Sequence, residues 1–127
     1  MTRRQYRKRP SEFVVAVQLD LDIDGLTYRK WGSTQTAKRG DWLVNNNGDV
    51  YTVEETSFAR TYKATGPGTW LKTTPVWAEA ADSAGEVRTK EGSTHYEAGD
   101  YLVSNDPDGG DAYAVSKKAF ERMYEPA

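Results

Sequence analysis

The side chains that could do chemistry are few and scattered. The chain has one histidine, His95, and no cysteine. An imidazole beside Tyr96 and Glu97 could serve as a general base. Its counterpart in the first half of the chain is Gln35, so an exposed residue at a strand end is the preferred reading. Asp41 and Asp100 each follow a glycine. Brought face to face, two carboxylates could share acid and base work or hold a metal. As separate turn anchors, each would instead accept from its neighbouring backbone amides, and this is the simpler use. Asp20, Asp22 and Asp24 alternate as calcium ligands do, but Trp31 stands where the bidentate Glu of a calcium loop belongs. A solvated turn is expected there. Arg39-Gly40-Asp41 spells an integrin-binding tripeptide, which the matching Ala98-Gly99-Asp100 lacks. No nucleophile elbow, zinc-binding helix, phosphate loop or dinucleotide fingerprint occurs. The sequence therefore predicts no catalytic residue, no metal, no cofactor and no enzyme.

What positions these residues is a pattern written twice. Gly40-Asp41-Trp42-Leu43-Val44 returns as Gly99-Asp100-Tyr101-Leu102-Val103. Gly32-Ser33-Thr34 and Gly92-Ser93-Thr94, read as equivalent turns, precede the two copies, and Tyr51-x-Val53 and Tyr113-x-Val115 follow them. Phe58-x-Arg60-x-Tyr62 and Phe120-x-Arg122-x-Tyr124 come last. From Tyr51 to Tyr62 every landmark is displaced by 62 positions, whereas the Gly-Asp pair is displaced by 59. The difference must lie in the intervening hairpin, short at Asn45 to Asp49 and longer at Ser104 to Asp111. Recurrence at a fixed spacing marks a duplicated unit.

The expected fold is α+β and mainly antiparallel β. Two repeats related by an approximate twofold would each hold three to four strands and one short C-terminal helix, and would share one core. Residues 1–64 form the first β-rich repeat, 69–127 the second, and 65–68 a Gly/Pro linker, in one compact domain. Gly40 and Gly99 permit a positive-φ entry, and with Asp41, Trp42, Asp100 and Tyr101 they are the structural anchors. Phe13 to Leu19 and Val76 to Ala80 read as buried strands, and Leu26 to Trp31 and Glu86 to Lys90 as a second pair. Asn47-Gly48 signals a tight hairpin. Thr56 or Ser57 should cap the first helix and Ser116 the second. Phe58 and Tyr62, like Phe120 and Tyr124, are four apart and belong on one helix face.

Composition narrows the function. The 127 residues carry 17 Lys plus Arg against 19 Asp plus Glu, a net charge of -2 that does not suit a polyanion coat. No apolar run approaches the length of a bilayer span, and no apolar segment follows the basic start as it would in a secretory signal. Host cytoplasm or a phage particle is the expected location, with no membrane association. Eight tyrosines, four tryptophans and three phenylalanines suit a small β core with polar tips at its surface. Arg3, Arg4, Arg7, Lys8 and Arg9 could touch nucleic acid, although a solvated arm turning into a strand near Tyr6 is preferred.

The pattern resembles small phage and prophage-associated proteins of the PGDYG-motif kind. Tyr6-Arg7-Lys8-Arg9-Pro10 matches their opening, Gly40 to Val44 and Phe58 to Tyr62 match their middle and end, and Gly99 to Val103 with Phe120 to Pro126 repeat these. Arg39 and Ala98 stand where the family has proline. The resemblance implies a phage context and brings no catalytic residues.

Three functional classes follow. The first is a non-catalytic binding module for a host protein or a small ligand, a nucleotide among the options. Its contacts would be Trp31, Arg60, Trp70 and Arg122, with Asp106 and Asp108 from the long loop. The second is a structural or accessory virion protein that docks through exposed strand edges. The third, an enzyme built on Asp41, Asp100 and His95, ranks last.

Overall fold

The computed structural model describes residues 3–127; residues 1 and 2, where the basic arm begins, lie outside the described residues. In the first half, β1 (Arg4–Lys8), β2 (Val14–Gln18), β3 (Leu26–Lys30), β4 (Ser33–Ala37), β5 (Trp42–Asn46) and β6 (Asp49–Val53) lead to α1 (Glu55–Thr61) and β7 (Tyr62–Gly66). The second half runs β8 (Thr69–Lys72), β9 (Val76–Ala80), β10 (Gly85–Arg88), β11 (Ser93–Tyr96), β12 (Tyr101–Ser104) and β13 (Ala112–Val115), then α2 (Lys117–Met123) and β14 (Tyr124–Pro126). Antiparallel β dominates, with two helices of seven residues each. The strands exceed the expected three or four per half for two reasons. The Ser-Thr segments taken for turns are strands β4 and β11, and the chain leaves each helix directly into another strand, β7 or β14.

Two five-stranded sheets carry the fold, in the orders β6-β5-β2-β8-β7 and β13-β12-β9-β1-β14. The first strand of each half lies in the sheet of the other. β1 sits between β9 and β14, pairing Tyr6 with Val76 and Lys8 with Tyr124. β8 sits between β2 and β7, pairing Trp70 with Val14 and Lys72 with Tyr62. β14 is hydrogen-bonded to β1 alone and β7 to β8 alone. Remove the exchanged strand and the last strand of each sheet has no partner for its backbone groups, a cost that any buried strand must avoid. Residues 65–68 accordingly belong to one hairpin of one sheet, 65 and 66 ending β7 and 67 and 68 turning into β8.

Each sheet packs one helix onto its inner face. Phe58 from α1 stacks on Trp42 at 4.1 Å between ring centres and 12° between planes, and on Tyr62 at 4.5 Å. Phe120 from α2 stacks on Tyr101 at 4.1 Å and 18°, and on Tyr124 at 4.8 Å. Tyr62 and Tyr124 are extended cap residues rather than helical ones, yet each keeps its ring against the phenylalanine four residues earlier. The exchanged strands supply the third wall. Trp70 meets Phe58 edge-on at 5.2 Å, and Tyr6 meets Phe120 edge-on at 4.9 Å.

The apolar interior is divided. Val14, Ala16, Val44 and Phe58 form one buried cluster, and Val76, Ala78, Val103, Phe120, Met123 and Tyr124 form another. This corrects the expectation of one shared core. A seven-residue helix covers only its own sheet, and the space between the sheets is lined largely by polar side chains, tyrosines, lysines and Asn46 among them.

The turn chemistry is local. Gly40 and Gly99 both adopt φ 93. Asp41 accepts from the backbone amides of Lys38 and Glu55, at 2.9 and 3.1 Å. Asp100 accepts from those of Glu97 and Lys117, at 2.9 and 3.3 Å. Asn47 and Gly48, at φ 54 and 95, make the tight β5–β6 turn. The cap of α1 is Glu54, not Thr56 or Ser57. Its carboxylate accepts from the amides of both, at 2.7 and 3.1 Å. Ser116 caps α2 through the Ala119 amide.

Truncating Phe58 or Phe120 to Ala should each cost about 3–5 kcal/mol in urea unfolding, because each ring is 1% exposed and touches three other aromatics. A protease site placed in the Gly66–Gly68 turn tests the exchange separately. After cleavage the two fragments should co-elute in gel filtration without denaturant; separation into two folded pieces would contradict the strand order.

Candidate functional site

The exchanged strands end in lysines, and both lysines turn into the space between the sheets. Lys8 and Lys72 are each 6% exposed. Lys72 Nζ donates to Tyr113 Oη at 2.7 Å, and that oxygen lies 3.5 Å from Tyr124 Oη. Lys8 Nζ stands 5.8 Å from the ring centre of Tyr62. Asn46 Nδ2 donates to Tyr51 Oη at 3.3 Å and to Met123 Sδ at 3.1 Å, reaching from one half to the other. These groups line a cavity of about 380 Å³. The buried Oδ1 of Asn105, on the same wall, has no hydrogen-bond partner among the described residues.

Neither lysine forms an ion pair among the described residues, unlike the other cations at the cavity. Lys90 lies 3.2 Å from Glu54 and 3.7 Å from Asp111, and Arg122 lies 3.4 Å from Glu12. Burial pulls Lys72 down to about 7; the fields of Lys8 and Arg60 act in the same sense, and Asp111 opposes them. Burial likewise brings Lys8 to about 8, with Glu12 opposing and Arg122 adding. Desolvation penalises the charged form of any group, so the tyrosines move the other way. Burial raises Tyr124 to about 12 and pushes Tyr51, Tyr62 and Tyr113 well upward. Glu91, half-buried on the same wall, is raised by burial to about 7.

The residues expected from sequence to bind a ligand separate into three groups. Trp31 and Arg122 lie on the cavity wall. Trp31 holds φ 56 at the tip of the β3–β4 hairpin, with its ring tilted on Tyr51 at 5.6 Å. Arg60, Asp106 and Asp111 bind one another at 2.9 and 3.2 Å. This clamp ties the long β12–β13 loop to α1, and Ser57 Oγ adds a donor to Asp111 at 2.9 Å. Asp108 accepts from the Gly110 amide within the loop. Trp70 is a wall of the aromatic cluster, edge-on to Trp42 at 4.9 Å. Arg122 has no such clamp: it pairs with Glu12 at 3.4 Å, and Asp49 beside the shorter β5–β6 turn pairs with Lys30 at 2.7 Å.

Comparison with family models, curated proteins and solved structures finds no match to this chain. The site is therefore read from its own geometry.

The groups considered for catalysis stay apart or engaged. His95 is exposed, with Nε2 2.8 Å from Glu86. Asp41 and Asp100 are each held in their own turn. Asp20, Asp22 and Asp24, which Gly25 follows at the sixth place of a calcium-loop pattern, do not converge: among the described residues no three His, Asp or Glu could hold a metal together. Arg7 of β1 and Arg9 just beyond it are also engaged, with Arg7 Nη2 2.6 Å from Glu125 and Arg9 Nη1 3.3 Å from it. Among the described residues no helix is long and apolar enough to cross a membrane.

Lys8 and Lys72 were not among the expected site residues, although a signal was present. Tyr6-x-Lys8 precedes β2 much as Trp70-x-Lys72 precedes β9, and each is soon followed by a proline, Pro10 or Pro75. The two lysines are 64 positions apart where the later landmarks are 62 apart, so the repeat aligns them only with a two-residue offset upstream of Phe13.

The pH dependence of stability follows from these shifts. Between about 7 and 10.5 the unfolded chain protonates Lys72 and the folded protein does not, so stability rises with pH across that window. Above about 10 the unfolded tyrosines ionise first and stability falls again. Chemical denaturation should therefore find the protein more stable near pH 9 than near pH 7. Lys72→Met should abolish much of that rise and stabilise the protein at pH 7 by about 2 kcal/mol or more; an unchanged profile would count against a buried ammonium.

Proposed function

We propose that the protein is a non-catalytic binding module whose cavity takes a small anionic ligand. The observation that carries this reading is the lysine pair: two lysine amines, nine-tenths buried, face one cavity with no carboxylate within ion-pair distance among the described residues. An unpaired buried charge costs several kcal/mol, and a bound anion would offset it. The volume falls within the range of small-molecule sites. Around the lysines, phenol hydroxyls can donate to an anion and the Trp31 ring offers a face for a planar group. A nucleotide, or another phosphate ester or carboxylate that carries a planar group, satisfies both features.

The cavity also makes sense of the duplicated sequence. We read the chain as two repeats related by an approximate twofold whose first strands are exchanged. Tyr51 with Tyr113, Tyr62 with Tyr124, and Lys8 with Lys72 then meet at the axis, each contributed once per repeat. The resemblance to PGDYG-motif proteins supports a phage setting, in host cytoplasm, for such a module.

A second reading has its own observation. Val15, Val17, Leu43 and Val50 are 37–59% exposed on the outer face of the first sheet. A continuous apolar face is a feature of docking surfaces, so a role as an accessory virion protein bound to a capsid or tail, or to a host protein, is the alternative. Presence of the protein in purified particles would favour it.

A thermal-shift screen of nucleotides, sugar phosphates and aromatic carboxylates tests the first reading. A binding anion should raise the melting temperature by several degrees, and the double change Lys8→Met with Lys72→Met should remove the response while leaving the protein folded. No shift with any anion in the panel would refute it.

A further inference from the structure

The two lysines differ in one respect that the binding reading does not use. Lys72 Nζ is held against a phenol oxygen at 2.7 Å, whereas Lys8 Nζ has no such donor or acceptor among the described residues. Tyr113 Oη is in turn 3.5 Å from Tyr124 Oη. Both the amine and the phenol line the cavity. An amine kept from water, beside other cations and next to a proton donor, is the arrangement that activates lysine toward carbonyl compounds. We propose that Lys72 captures small anionic aldehydes in this cavity as a reversible imine, with Tyr113 as proton donor and Lys8 holding the anionic group. The proposal rests on the anion-binding reading for its ligand class, but not for the reactivity of Lys72.

The chemistry balances without an added reagent. The lone pair of neutral Lys72 forms a bond to the aldehyde carbon, and the carbonyl oxygen takes up a proton, giving a carbinolamine. Loss of that oxygen as water, carrying both hydrogens of the amine, leaves a carbon–nitrogen double bond. Addition of water reverses the sequence and releases the aldehyde. Tyr113 supplies a proton to the oxygen and recovers one from the nitrogen. Its phenol remains protonated across neutral pH because burial disfavours the phenolate. The charged and titratable groups around the amine are Lys8, Arg60 and Asp111, with Tyr113 itself. Lys8 and Arg60 favour the neutral amine and Asp111 opposes them.

The other lysines provide the control. Lys63 and Lys118 are exposed and lie outside the cavity wall, so no neighbouring group holds an aldehyde or supplies a proton there and both react slowly.

The experiment treats the full-length protein at neutral pH with 4-formylbenzoate or with benzaldehyde, each with cyanoborohydride. Cyanoborohydride delivers hydride to the imine carbon and fixes the adduct as a secondary amine. Peptide mass spectrometry then reads labelling at each lysine. Lys72 should be labelled about tenfold or more faster than Lys63 and Lys118. Tyr113→Phe should slow Lys72 by about tenfold while the circular dichroism spectrum is retained. Lys72→Arg should leave only the slow surface labelling. The benzoate should label Lys72 faster than benzaldehyde does, and Lys8→Met should erase that preference. Labelling of Lys72 at the rate of Lys63 or Lys118 by both aldehydes, in protein that still responds to anions in the thermal-shift screen, would overturn the proposal. Fast labelling that is equal for the two aldehydes would overturn the anionic ligand class and support the reactive amine.

Discussion

Everything in this molecule depends on the exchange of β1 and β8 between the two sheets. Each exchanged strand has a neighbour on both sides, and one of those neighbours, β14 or β7, has no other pairing. Neither half can therefore complete a five-stranded sheet alone. A half of about 60 residues would bury only about 60% of its surface, and the exchange compensates by making each helix pack against rings from both halves. The same strands that close the sheets also end in lysine. Their register opposite Tyr62 and Tyr124 aims those lysines between the sheets. Topology, core and cavity thus have a common origin.

The two clusters and the space between them follow opposite rules. Within each cluster, stacked aromatics and β-branched residues bury apolar surface at about 25 cal/mol per Å². Between the clusters, hydroxyls, amides and ammonium groups meet with little apolar surface to exclude. A protein selected for stability alone would fill that space with leucine or methionine, because well-packed apolar residues often match or exceed buried charge in stability. Keeping Lys8 and Lys72 there fits a site that is complete only when an anion is present. The tyrosines allow this compromise, since each buries a ring against the clusters while its oxygen faces the lysines.

Much of the fold was legible in the sequence because its determinants are local. The Gly-Asp turns declared themselves through a residue that tolerates positive φ, followed by a short acceptor, and Asn47-Gly48 through a dipeptide suited to its turn. Strands β2, β5, β9 and β12 carry compact apolar runs. What was hidden is non-local. Nothing in Tyr6 or Trp70 says which sheet its strand joins, and in isolation Lys8 reads as one more cation in a basic arm. Thr34, Gln35 and Thr94 are polar enough to pass for turn residues, yet they lie in strands that pack between the halves. Gln35, fully buried, donates to the Ser93 carbonyl at 2.6 Å across that junction. Arg60 and Asp106 have the composition of a binding site, and only the length of the β12–β13 loop shows that they neutralise each other.

The most direct measurement is the titration of the lysine side chains by nuclear magnetic resonance, following the Cε signal of each lysine from pH 5 to pH 11. Lys72 should titrate near 7 and Lys8 near 8, well below the ordinary 10.5. Ordinary titration of both Lys8 and Lys72 near 10.5 would mean that these ammonium groups are in water, and no sequestered lysine pair would remain to explain the cavity.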